Sequence, residues 1–188
     1  MSRAPLRILA VRICAGAAAV VPLTALPACA GPADSPRTSR TYALGARTVR
    51  PDERAVRLRP AVDGDTSFTV IGVTSALPSL AGSHADVKAR GRYVRIRLVV
   101  VNDGRTTALL DVMRQRLVTA DGQDRPPDRE AMLVKRQPLR LEVGAAVRVE
   151  FDLWYDVPVS APITALRLYG GATLTDLKDE RGTELRLP

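Results

Sequence analysis

Val147-Arg148-Val149-Glu150-Phe151-Asp152-Leu153-Trp154-Tyr155 decides the fold, because apolar and polar side chains alternate along it until Trp154 takes a polar place. Successive side chains of a strand point to opposite faces, so Phe151, Leu153 and Tyr155 share one face and Arg148, Glu150, Asp152 and Trp154 the other. A second stretch behaves alike. Val94, Ile96, Leu98 and Val100 alternate with Tyr93, Arg95 and Arg97, and the run stops at Asn102-Asp103-Gly104.

Shorter segments of strand character fall at Ser67–Thr74, Leu109–Met113, Arg116–Ala120, Leu139–Val143 and Thr164–Tyr169. Turn signals separate them: Asp121-Gly122, Pro126-Pro127, Gly144, Pro158 with Pro162, and Gly170-Gly171. No segment shows sustained helical periodicity with caps. About seven short strands with one apolar face each cover those faces by pairing into packed sheets, which predicts an all-β, two-sheet β-sandwich over residues 62–174. Residues 175–188 are charged and form either a tail or an extra edge strand through Glu184 to Leu187.

The N-terminal part carries a different message. Arg3, Arg7 and Arg12 precede an apolar stretch from Ile13 to Leu26, and Ala28-Cys29 follows, which is the layout of an export signal over residues 1–28. Leu26-Pro27-Ala28-Cys29 resembles the acylation site of a bacterial lipoprotein at three of four places, with Pro27 the departure. Acylation of Cys29 would anchor the chain to the membrane. The rival is cleavage after Ala30, with Ala28-Cys29-Ala30 as the site, and free secretion. Residues 29–61, rich in Pro, Ser, Thr and Arg, read as a flexible tether, with a short strand near Ala55–Leu58.

Cys14 leaves with the signal, so the mature domain keeps at most Cys29 and folds without a disulfide. It lacks the thiols for a zinc ribbon, an iron–sulfur cluster or a redox pair. Lys and Arg number 28 against 20 Asp and Glu, and losing the three signal arginines lowers the formal charge from +8 to +5. That mild basicity and an exported address argue against nucleic acid and leave wall polyanions or lipid headgroups as anionic partners.

The stretches Gly91-Arg92-Tyr93-Val94-Arg95-Ile96, Val101-Asn102-Asp103-Gly104, Leu117-Val118-Thr119-Ala120-Asp121-Gly122, Leu141-Glu142-Val143-Gly144 and Val149-Glu150-Phe151-Asp152 with Val157-Pro158 resemble the telokin-like, immunoglobulin-type domain of unknown function. That family occurs in secreted proteins and lipoproteins of Gram-positive bacteria. The resemblance spans about residues 66 to 170 and implies an immunoglobulin-like sandwich. It brings no catalytic residues with it.

Chemistry-bearing groups are sparse. His84, the single histidine, lies in a small-residue loop, and Ser83-His84-Asp86 is too local to form a triad. Asp121, Asp124, Asp128 and Glu130 gather oxygens near one turn, but a hairpin closed by Asp121-Gly122 explains them without a cation. The expectation is therefore a protein that is not an enzyme and uses neither cofactor nor metal. Arg95 and Arg97 share an outward face, where they either bind an anion or pair with Glu150 and Asp152 across the sheet. Trp154, beside Tyr155, either stands exposed as an anchor for a partner protein or wall polymer or is covered by the tether or tail. The chain reads as an envelope binding module, with a carrier or sensor of a small ligand or metal ion as the alternative.

Overall fold

A computed structural model describes residues 48–83, 85–173 and 181–188. The signal segment, Cys29, residues 29–47 of the tether, His84 and the charged residues Asp176, Lys178, Asp179 and Glu180 lie outside the described residues.

The two alternating runs become adjacent strands of the largest sheet, the run that holds Trp154 lying at its edge. β1 (Arg54–Ala55), β2 (Ala61–Asp63), β3 (Thr66–Ala81), β4 (Asp86–Asn102) and β9 (Arg148–Val157) pair antiparallel in the order β1-β3-β4-β9, with β2 also on β3. β3 and β4 make a long hairpin, and bulges shift its register between Val70 and Gly72 and between Thr74 and Leu77, where Ala76 takes φ 65°. β5 (Ala108–Asp111) pairs with β8 (Arg140–Val143). β6 (Arg116–Thr119), β7 (Asp124–Arg125), β10 (Ile163–Leu168) and β11 (Thr183–Arg186) complete a four-stranded sheet in the order β11-β10-β6-β7. The protein is thus mostly β, with three antiparallel sheets where the sequence predicted two.

Apolar faces of the separate sheets merge in one buried cluster. Phe68, Ile96, Leu98, Leu153 and Tyr155 from the large sheet join Leu110, Leu117, Leu166 and Leu168 from the others. Two amides are buried with them and replace missing strand bonds. Asn102 donates to the carbonyls of Thr106, Val143 and Gly144 and accepts from the Gly104 N–H, and Gln115 bonds Asp111 and both backbone groups of Tyr169.

The tether ends earlier than expected. Val56 is buried and its N–H donates to the Ile71 carbonyl, and β1 and β2 pair with β3, so residues 48–61 belong to the packed domain. The reason is that Val56 and the Glu53 carboxylate find partners on the large sheet, contacts a composition argument cannot foresee. At the other end the edge-strand alternative holds, with Glu184 opposite Arg167.

One helix was not anticipated. α1 (Arg129–Val134) is capped by the Asp128 carboxylate, which accepts the Ala131 N–H at 2.9 Å. The Asp128 N–H donates to the Trp154 carbonyl and Gln137 Oε1 accepts the Asp152 N–H, so this segment covers part of the free edge of β9. No helix among the described residues is long and apolar enough to cross a membrane.

Candidate functional site

Strand register brings Arg95, Arg97 and Trp154 together as the alternation predicts. On the outer face of the large sheet Thr74, Arg95 and Trp154 form one row, and Gly72, Arg97 and Asp152 the next. Residues 48–53 lie over these rows, and the centre of the arrangement is Glu53, whose side chain has no solvent exposure. Arg97 Nη2 sits 2.8 Å from Glu53 Oε2, and Arg95 Nη2 3.2 Å from Oε1. The Arg50 N–H donates to the same carboxylate at 2.9 Å, and its guanidinium reaches Asp152 at 2.7 Å. Arg95 also binds Asp52 and Thr74, while Arg97 binds Glu150 and the Thr48 carbonyl.

Space for Glu53 comes from Gly72. A Cβ there would stand 3.0 Å from Glu53 Oε2, so tight that the carboxylate would have to shift. Hydrogen bonding to Asp152 raises the Arg50 pKa, and hydrogen bonding to Arg95 lowers that of Asp52. Three arginines thus face four carboxylates; of the cross-sheet pairs expected from the sequence only Arg97 with Glu150 forms among the described residues, while Arg95 pairs with Asp52 and Glu53, and Asp152 with Arg50.

Trp154 points to the outer face as its parity requires, yet it is only 4% exposed. Arg95 Cζ lies 5.6 Å and Lys135 Nζ 5.9 Å from its ring centroid, so two cations flank the indole in cation–π geometry. Of the two expectations the covered one describes Trp154, with Arg95 and Lys135 over the ring; it is not available as an exposed anchor. Tyr155 points inward, is fully buried, and its hydroxyl has no partner; burial pushes that phenol well above the usual tyrosine range.

Concave surface lies elsewhere. One cleft of about 630 Å³ is lined by Arg90, Asp124, Arg125, Asp128, Arg129 and Asp156. Its acids are engaged: Asp128 and Asp156 with Arg90, and Asp124 with Arg167. A second, of about 680 Å³, lies where Thr48 enters the described fold, with Val49, Val56, Ile71, Arg57 and Arg148 among its walls. A third, of about 470 Å³, follows the exposed β5–β8 ribbon beside Leu109 and Leu141.

The oxygens near Asp121 have structural tasks. Asp121 accepts from Thr119 and from the Gln123 N–H within the β6–β7 turn, where Gly122 takes φ 76°, and Asp128 is the helix cap. Among the described residues no three His, Cys, Asp or Glu side chains are placed to hold a metal ion. None of those residues is a histidine or a cysteine, so no nucleophile and imidazole base meet there.

These features define an antiparallel β-rich domain with an ion-paired outer face. No protein-family profile matches the chain, and no curated protein matches it. Among solved structures it is similar to the yjhA protein from Bacillus subtilis, with a TM-score of 0.51 and 16% identity over 69% of this chain and 96% of that one. A conserved hypothetical protein from Bacillus anthracis superposes with a TM-score of 0.48 and 12% identity, covering 70% of this chain and 94% of that one. At such identity the yjhA likeness speaks for the fold alone.

Proposed function

We propose that this protein is an exported, lipid-anchored envelope module, not an enzyme, which binds another envelope protein or a wall polymer and does not bind nucleic acid. Its domain is proposed as an immunoglobulin-type two-sheet sandwich of the telokin-like kind. The shared core of the two larger sheets and the yjhA likeness support that fold.

The observation that carries the functional reading is the attachment of residues 48–56 to the large sheet through Glu53 and the Val56 N–H. With Cys29 as anchor, only residues 30–47 separate the membrane from a fixed point on the domain. Such a chain spans roughly 65 Å when fully extended and roughly 24 Å as a flexible coil. A module held in this way displays the rest of its surface to neighbours in a layer near the membrane. Cleavage after Ala30 would give the same domain as a secreted protein.

A carrier or sensor of a small ligand is the second reading, favoured by the open cleft beside Thr48. Cross-linking in intact cells tests the first. A recurring neighbour, displaced by excess purified chain, is expected; capture of only abundant bystanders that the chain does not displace would refute the binding role.

A further inference from the structure

We infer that the cleft beside Thr48 is a binding site for the headgroup and upper acyl chains of an anionic membrane lipid. Nine residues line it, and two of them, Arg57 and Arg148, are cations while none is an acid. Among the described residues neither guanidinium has an ion-pair or hydrogen-bond partner, in contrast to Arg95 and Arg97 on the rows above. Glu150, two residues along β9 from Arg148, pairs with Arg97 at 3.3 Å.

Besides the two arginines, the lining is Val49, Ala55 and Ile71, the buried core residues Val56 and Val70, and the two threonines Thr48 and Thr69. A guanidinium pair beside such a surface matches a phosphate ester carrying hydrocarbon, since the planar fork takes phosphate oxygens while aliphatic side chains take the first methylenes. Bare inorganic phosphate would leave the apolar walls wet. A neutral lipid would leave the guanidinium groups uncompensated.

The chain's own preceding segment is a poor occupant. Residues 29–47 carry Arg37, Arg40 and Arg47 against Asp34, so they add positive charge to a positive cleft. This inference rests on the anchored reading for its lipid source. A tether of the length given above holds the site near millimolar effective concentration of headgroups, so weak intrinsic affinity gives substantial occupancy. Each guanidinium–phosphate contact at a solvent-accessible site contributes about fivefold to binding, so loss of both weakens it by about 25-fold at low salt.

The test uses the full chain carrying Cys29→Ser, so its outcome is independent of acylation. Dihexanoyl-phosphatidylglycerol, below its micelle concentration, is titrated while the methyl resonances of Val49, Val56, Val70 and Ile71 are followed. Saturable shifts at these residues are expected, weakened about 25-fold in Arg57→Gln/Arg148→Gln, with both proteins giving native-like spectra elsewhere. Equal shifts with dihexanoyl-phosphatidylcholine, or equal affinity for inorganic phosphate, would overturn the lipid assignment. So would no shift at all, or proton contacts between Ile71 and residues 30–47 in the free chain, which would give the cleft to the tether.

Discussion

Replacing Glu53 by Gln keeps the shape of the side chain and removes the negative charge that Arg50, Arg95 and Arg97 surround. The Glu53 side chain has no solvent exposure, and those of Arg95 and Arg97 are 11% and 9% exposed, so water screens the loss poorly. Breaking a buried ion pair by removing one partner costs about 3–5 kcal/mol, because the remaining charges stay desolvated without compensation. Asp52, Glu150 and Asp152 still serve the arginines, which places Glu53→Gln near the lower end, about 3 kcal/mol. For a domain of this size that corresponds to a drop of roughly 10 °C in melting temperature. Urea unfolding followed by far-UV circular dichroism measures it. Gly72→Ala, which pushes a methyl against the same carboxylate, should destabilise in the same direction but cost less in the Glu53→Gln background, where the crowding remains and no charged carboxylate is left to be displaced from the arginines. A loss below about 1 kcal/mol, or strict additivity of the two changes, would refute the reading of residues 48–53 as an integral layer of the domain.

Other outcomes follow from the buried polar groups. Asn102→Ala removes the side-chain donor to the Thr106, Val143 and Gly144 carbonyls, of which Gly144 keeps the Val147 N–H, and the acceptor of the Gly104 N–H, and should cost about 3 kcal/mol in the same urea assay. Tyr155→Phe removes a buried hydroxyl that has no partner and should raise stability by about 1 kcal/mol. The folded Tyr155 pKa is raised, so neutral-tyrosine stability is complete below about pH 10 and declines as pH rises beyond it; Tyr155→Phe should flatten that alkaline decline in melting temperature. Asp52 has a lowered pKa through Arg95, so its contribution is present above about pH 4 and fades as pH falls through the folded value. Because its side chain is 52% exposed, Asp52→Asn should cost only a few tenths of a kcal/mol at pH 7 and nothing at pH 2.

The strands β4 and β9 were legible because each presents one apolar and one polar face, and that period survives any packing detail. Parity also placed Arg95, Arg97, Glu150, Asp152 and Trp154 on a single face, and the register of β4 with β9 agrees. What alternation cannot express is a further layer over the polar face. Glu53 sits among prolines and arginines, and its role depends on a cavity left by Gly72 some twenty residues later, so no local signal marks it. For the same reason the sequence left the exposure of Trp154 open between two alternatives. α1 is too short to show a period, although Asp128, three residues before Ala131 and directly after Pro126-Pro127, carried the cap signal. Division of the pairing among three sheets depends on where β5 and β8 part from the others, which strand-length runs alone do not encode.

The intact mass of the mature chain recovered from the cell envelope tests the anchored-module reading most directly. Anchoring predicts a chain that begins at Cys29 and carries a diacylglyceryl group there, with Cys29→Ser lacking the modification. An unmodified chain beginning at Gly31 in the culture medium would contradict the anchor and leave a secreted domain in its place.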